Sequence, residues 1–340
     1  MMNPKRIEVA RLAGVSESTV SRSLNDSPLI SHQSKQRVRD AARHLGYVPS
    51  RQAALFARKR TYMIAFVVPF YEKFPPFSRA YFPALLDGAV LSAEEHGFSV
   101  AIVLDKVETG GRDYGALVRS RTYDGLLFAV TRADYDGFRY FGENRVPFVL
   151  VNNYAEGFYS VDARPEPGMR GAFQHAAALG HRRVGYITGD TSFKNATDRL
   201  EVFNRLAGEL AVETIIEQGD FSRTSGYRCA ERLLSGKNPP SLVMTSSDRA
   251  ALGVLQYCAD AGINVPSDLS VIGYDNLHPA PDVSPPLSTV DNPVSRAGWE
   301  AVRLLVDIIN GKVSEPVQLW LDTSFVVRKS TAGARREFAN

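Results

Sequence analysis

The sequence predicts an all-α helix-turn-helix head joined to an α/β body of two doubly wound parallel-sheet lobes. Three observations predict it. Residues 9–22 carry helical apolar spacing broken by one tight turn. The charge balance changes sign near residue 60. Beyond that point short β-rich runs alternate with helical segments, and the alternation runs through twice.

In the head, apolar residues recur at helical spacing through Ile7, Ala10, Leu12, Val15, Val20 and Leu24, which predicts two short helices, with Val15 and Val20 facing the first. Gly14 falls where the chain must turn between them. Ser16 suits an N-cap, and Glu17 falls in the first turn, where the helix dipole favours an anion. Glu17, Ser18, Ser21 and Arg22 are expected to point outward, Arg22 one turn beyond Ser18. A third helix is predicted over 32–45. Ser31 caps it, Val38, Ala41, Ala42 and Leu45 form its buried stripe, Lys35, Arg37, Arg39 and Arg43 cover its exposed parts, and Gly46 ends it. Two helices across a tight turn, the second presenting hydroxyls and an arginine, match the layout that reads DNA from the major groove.

Charge agrees. Of the chain's 40 Lys+Arg and 37 Asp+Glu, residues 1–60 hold 12 and 4, leaving 28 and 33 for the rest. A basic head on a mildly acidic body points to an anionic partner. With no long apolar face in the head, nucleic-acid phosphate fits better than a membrane surface. The 340 residues allow two or three domains and a large core. No apolar run approaches the roughly 18 residues of a membrane span. The first residues lack the apolar stretch of a secretion signal, so a cytoplasmic protein is expected, with Cys229 and Cys258 as reduced thiols.

In the body, strands are predicted over 62–68, 98–104, 125–130 and 148–151, with helices near 81–96, 111–120 and 135–144. After an irregular, proline-bearing stretch at 164–167 the rhythm restarts, with strands over 184–188, 214–217, 242–245 and 269–273. The segments 154–162 and 274–286 read as crossings between lobes, and 324–328 as a final strand. A cleft is expected where strand ends converge. The aromatic run Phe70, Tyr71, Phe74, Phe77, Tyr81 and Phe82 is expected near that cleft or at a dimer face. The head is assigned to 1–47, a linking segment to 48–60 and the body to 61–340. Its first lobe takes about 61–161 plus 292–322, its second about 162–291 plus 323–340. After Pro49 the linking segment is a good helix former of about three turns, marginal without packing. Its basic residues around Leu55 and Phe56 suit a segment that wedges an apolar group into the minor groove, and equally a charged linker.

Taken in order, the segments Val9–Asn25, Leu45-Gly46-Tyr47-Val48-Pro49, Leu179-Gly180-His181-Arg182-Arg183, Ser246-Ser247-Asp248, Val271-Ile272-Gly273-Tyr274-Asp275 and Pro285–Val290 resemble the LacI/GalR family of bacterial transcriptional regulators. The resemblance runs over nearly the whole chain. It implies a homodimer with one head in each of two adjacent major grooves of a roughly palindromic operator. It implies a hinge helix in the minor groove, carried by Arg51, Ala53, Leu55 and Phe56. It also implies a body similar to periplasmic sugar-binding proteins, with a small effector, a sugar by analogy, in its cleft. By position in the family's motif, Glu17, Ser18 and Arg22 would meet base edges, and Ser16, Thr19, Ser21, Asn25 and Ser31 the DNA backbone.

The same resemblance assigns the effector to Asn152, Arg199, Phe221, Asp275 and Asn292. Arg199 and Asp275 fall where α/β clefts collect ligands, and charged groups there can pair with vicinal hydroxyls. The chain departs from the family at Ser50, Phe56, Ser247, Val202 and Arg164, with Asp162 two residues before the last. The competing reading is an α/β sugar-processing enzyme with a regulatory DNA-binding head. Against it, the chain has no glycine-rich phosphate loop, no Gly-x-Ser-x-Gly elbow and no metal-spaced His/Cys cluster, so neither cofactor nor metal is expected. An architectural DNA binder would need no two-lobed cleft. With no leucine heptad after the final strand, a dimer is expected over a tetramer.

Overall fold

The computed structural model describes residues 4–47, 60–70, 75–105, 122–129 and 137–334. The hinge candidates Arg51, Ala53, Leu55 and Phe56, the helix expected near 111–120, and Tyr71 and Phe74 of the aromatic run lie outside them. Two compact units divide the chain, Met1–Tyr62 and Met63–Asn340.

The first unit holds three helices. These are α1 (Arg6–Ala13), α2 (Glu17–Leu24) and α3 (His32–Leu45). Gly14, at φ 64°, closes α1, and the Ser16 hydroxyl accepts from the Thr19 amide at 3.1 Å to open α2. Val9, Ala10, Ala13, Val20, Val38, Ala41 and Ala42 form the core, with Val15, Leu24, Leu45 and Tyr47 against it. Not every residue of the helical apolar spacing reaches this core, and one expectation about α3 fails. Ile7 and Leu12 are 49% and 53% exposed, because α1 turns Val9, Ala10 and Ala13 inward instead. Lys35 is not a surface cation: it is 9% exposed, and its Nζ reaches Asp26 Oδ1 at 3.0 Å and the Asp26 carbonyl at 3.2 Å. The bond to Lys35 holds the Asp26 carboxyl below the usual carboxylate range.

The second unit contains two six-stranded sheets. In the first, β1 (Met63–Pro69), β2 (Ser99–Asp105), β3 (Gly125–Ala129), β4 (Phe148–Val151), β5 (Ser160–Arg164) and β11 (Gln318–Asp322) are ordered β2-β1-β3-β4-β5-β11, all parallel. In the second, β6 (Arg183–Ile187), β7 (Glu213–Glu217), β8 (Leu242–Thr245), β9 (Ser270–Asp275), β10 (Ser288–Asp291) and β12 (Ser324–Val326) are ordered β7-β6-β8-β9-β10-β12. Both orders are those of a doubly wound sheet, with the second strand at one edge. The second sheet is not wholly parallel, since β12 runs antiparallel to β10.

Helices α4 (Tyr81–Glu95) and α10 (Val294–Ile309) pack together on the first lobe, with α5 (Gly137–Glu143) also belonging to it. The second lobe carries α6 (Pro165–Ala178), α7 (Lys194–Glu209), α8 (Arg223–Leu234) and α9 (Asp248–Asp260). Its sheet is packed on one side by Met169, Phe173 and Phe203, and on the other by Leu233, Val254 and Cys258.

Three sequence assignments need correction. Neither 154–162 nor 274–286 is a crossing: the first runs from β4 into β5, an interior strand paired to β4 and β11, and the second joins β9 to β10 within the second sheet. The stretch 164–167 is not irregular, because Pro165 and Pro167 sit in the first turn of α6, where a missing amide costs nothing. The strands β10 and β11 were not expected at all. The chain passes between lobes after β5, after β10, and between β11 and β12. At the last crossing the buried Thr323 hydroxyl donates to the Arg164 carbonyl at 2.7 Å and accepts from the Gly168 amide at 3.0 Å.

Candidate functional sites

In the first unit, α2 presents Ser18 and Arg22 to solvent one turn apart. Among the described residues Arg22 has no hydrogen-bond or ion-pair partner, so its guanidinium is free for an external acceptor. Glu17 is half-buried and already engaged, its carboxylate 3.0 Å from Arg6 Nε. The backbone-contact candidates are mostly local caps. Ser16 also shares its hydroxyl with Ser18 at 2.8 Å and Thr19 at 2.9 Å, and Ser31 caps α3 through the Ser34 amide. Asn25 Nδ2 donates to the Ser21 carbonyl at 2.9 Å. These hydroxyls and amides brace the ends of α2 and α3 around the exposed pair.

In the second unit a cavity of about 710 Å³ opens between the lobes. Its lining follows the carboxyl ends of five strands. Tyr81 and Phe82 follow β1, Asp190 to Arg199 follow β6, Phe221 follows β7, Ser247 to Leu252 follow β8, and Asp275 ends β9. At its floor lies an ion pair. Arg199 Nη2 is 3.5 Å from Asp275 Oδ1, Nη1 donates to the Ser246 carbonyl at 2.5 Å, and the guanidinium covers Tyr274. Asn292 Nδ2 donates to the same Asp275 oxygen at 3.1 Å. Burial raises the Asp275 carboxyl, and Arg199 and Asn292 pull it back. The Phe221 ring also lines the cavity and lies against Gly189, where any side chain would collide with it.

Asn152 and Asn292 do not line this cavity. They meet Asp162, Asn195, Asp198 and Arg199 in a small polar chamber beside it, so Asn195 and Arg199 are common to both. Burial pushes the Asp162 carboxyl up to about 7. Backbone strain collects here. Asn152 (φ 52°), Phe221 (φ 64°) and Asp275 (φ 114°) occupy the left-handed region that L-residues avoid, each at a cost of about 1–3 kcal/mol. Polar atoms are also left over. Tyr81 Oη, Asn195 Oδ1, Asn152 Nδ2 and Asn292 Oδ1 are buried with no hydrogen-bond partner among the described residues.

Sequence reasoning missed Tyr81 and Asn195 as site residues. Tyr81 begins α4, and burial followed by the nearby Asp275 charge raises its hydroxyl well above the usual range. It was visible only as one member of an aromatic run. Asn195 could have been found, because it precedes Arg199 by one helical turn on α7 and so shares its face. His181 is structural: it is buried, its Nδ1 meets Ser241 Oγ at 2.8 Å and its Nε2 the Ala332 carbonyl at 3.0 Å. Among the described residues no group of His, Cys, Asp and Glu is placed to hold a metal ion, and no helix is long and apolar enough to cross a membrane.

Comparison with known proteins agrees with both units. The profile described as bacterial regulatory proteins, lacI family, matches residues 7–50, and that of a periplasmic binding protein-like domain matches 173–331. The HTH-type transcriptional regulator CelR of Thermobifida fusca is 31% identical over 95% of this chain and 96% of its own. The chain belongs to the lacI family.

Another family relative, the transcriptional repressor CytR of Escherichia coli (strain K12), is 30% identical over 95% of each chain. Among solved structures, a CelR–cellobiose complex superimposes with a TM-score of 0.73 at 30% identity, covering 96% of this chain and all of that one. The Lac repressor dimer bound to operator and an anti-inducer gives 0.86 at 24% identity, over 97% of this chain and all of that one, a likeness of fold. This lacI-family chain is a DNA-binding transcriptional regulator, and its relatives are regulators rather than enzymes.

Proposed function

We propose that the protein is a cytoplasmic repressor of carbohydrate-use genes that binds a roughly palindromic operator as a homodimer. A saccharide in the interlobe cavity sets its operator affinity. The observation that carries the effector reading is the Arg199–Asp275 pair, buried at the floor of a cavity whose other wall offers the Phe221 ring. A charged donor beside a charged acceptor suits vicinal hydroxyls, and an aromatic face suits the apolar face of a sugar ring. The leftover polar atoms of Tyr81 and Asn195 and the strain at Phe221 and Asp275 support the same reading. So does the likeness to CelR, whose solved structure holds cellobiose.

In this reading Asn152 and Asn292 act from the adjoining chamber. Glu17, Ser18 and Arg22 meet base edges, and Ser16, Thr19, Ser21, Asn25 and Ser31 meet the DNA backbone. Arg51, Ala53, Leu55 and Phe56 form the hinge in the minor groove. The head (1–47), hinge (48–60) and two-lobed body (61–340) then divide reading from sensing. The body catalyses nothing and releases its ligand unchanged.

The test is fluorescence anisotropy of the full chain on genomic fragments enriched by the protein itself. A palindromic fragment is expected to bind about a thousandfold or more tighter than random DNA at physiological salt, and the active saccharide to change that affinity about tenfold. Equal affinity for random DNA would end the regulator reading, and turnover of the bound sugar would restore the enzyme.

A further inference from the structure

The cavity has two chemically different ends. At the floor the charges are matched. On the far wall α8 and α9 begin side by side. Ser247 Oγ, capping α9, donates to the Phe221 carbonyl at 3.3 Å, and the Arg223 carbonyl packs against Gly253, one turn beyond Arg249 on α9. The first residue of α8, Arg223, and the second of α9, Arg249, therefore line one stretch of wall at two neighbouring positive helix ends.

None of the cavity's carboxylates is paired with them. Asp190 accepts from the Ser192 amide at 2.9 Å and Asp220 from the Ser222 amide at 2.8 Å. Asp248 accepts from the Thr289 hydroxyl at 2.5 Å and the Leu277 amide at 2.9 Å, and Asp275 serves Arg199 and Asn292. Arg79, reaching the cavity from the first lobe, adds a cation whose field falls on Asp220. Among the described residues no carboxylate lies within ion-pair distance of Arg223 or Arg249. Arg223 donates to Gln256 at 2.7 Å, and the Nε of half-buried Arg249 is shielded with no hydrogen-bond partner. A shielded guanidinium N–H with no acceptor is costly, and the planar fork of arginine matches carboxylate and phosphate oxygens.

We propose that the effector carries an anionic substituent, a carboxylate or a phosphate, seated against Arg223 and Arg249 while its hydroxyls engage Arg199 and Asp275. The effector class is then a sugar acid or a sugar phosphate, an inference that rests on the cavity's being a saccharide site. The subsite lies on residues that the resemblance did not assign to the effector, which is why neutral sugars alone do not exhaust the search.

Calorimetric titration of the full chain with matched probes tests it: glucose with glucuronate and glucose 6-phosphate, galactose with galacturonate and galactose 6-phosphate, and cellobiose with its uronic acid. In at least one set an anionic member is expected to bind about tenfold or more tighter than its neutral partner. The uronate and phosphate arms say which anion is meant. In R249Q and in the R223Q/R249Q double variant that preference falls to within about twofold, while R249K keeps part of it. Neutral sugars binding as tightly as both anionic partners, or a preference that survives the double variant, overturns the inference and leaves the saccharide site standing. If no probe binds, the saccharide reading falls and takes this inference with it.

Discussion

The guanidinium of Arg199 lies 3.8 Å from the centroid of the Tyr274 ring while its Nη2 faces Asp275 Oδ1, so one side chain is fixed by a π-face, a carboxylate and the Ser246 carbonyl together. R199M removes all three and leaves Asp275 buried with only Asn292. Unfolding by urea should show a loss of about 3 kcal/mol at pH 8. The loss should be smaller at pH 5, because the Asp275 carboxyl, already raised by burial, can take up a proton once its counter-charge is gone. Equal losses at both pH values would mean that the pair is not electrostatic.

Asp248 offers a second pH signature. Burial, reinforced by Asp275, pushes its carboxyl up to about 8 despite the bonds from Thr289 and Leu277. The folded chain thus holds a proton that the unfolded chain releases near pH 4. Its contribution is fully present below that pH and is lost as pH rises toward 8, so the stability of the protein should decline over this window. D248N can accept from the Leu277 amide through its one oxygen and donate to the Thr289 hydroxyl through its NH2 group, without titrating. Urea midpoints from pH 5 to 8 should be flatter in the variant by about one proton's worth of slope.

Gly298 on α10 packs against the Leu85 carbonyl of α4, and Gly88 on α4 against the Ser295 carbonyl of α10. A methyl group at either position must push the helices apart. G298A should lower stability by about 1–3 kcal/mol, read as a falling thermal midpoint, although alanine is the better helix former. A variant as stable as the parent would show that this crossing yields freely.

In the head, R22A should cost about 1–3 kcal/mol on the preferred operator and much less on random DNA, narrowing the specificity ratio in anisotropy titrations. Equal losses on both DNAs would make Arg22 a phosphate contact instead.

Much of this fold was legible because its signals are local. Ser16 and Ser31 cap helices as their positions imply, and Leu242–Thr245 is apolar enough to read as an inner strand at once. What was not legible depends on partners distant in sequence. β11 buries only Leu321 of its five residues and is a strand by pairing with β5, from which over 150 residues separate it. Ile7 and Leu12 share the helical spacing yet stay outside the core, because an eight-residue helix has room for two apolar stripes and only the packing of α3 against it selects one. At the cavity Asp275 was readable from its place at a strand end and Arg199 from its match to the family's motif, although it lies in the second turn of α7. Tyr81 was not, since nothing local says that the first residue of α4 reaches a charged pair on another lobe.

The repeated crossings have a consequence for synthesis. The three helices of the head can pack once Tyr47 has been made, since among the described residues their core contains nothing later. The first lobe must wait, because α10 and the edge strand β11 are supplied only when translation reaches Asp322. Until then β3, β4 and β5 emerge from the ribosome with apolar faces that their own neighbours in sequence cannot cover. This regulator would therefore acquire its means of gripping DNA well before its means of being told to let go, and the nascent body is the stretch where chaperones should be found.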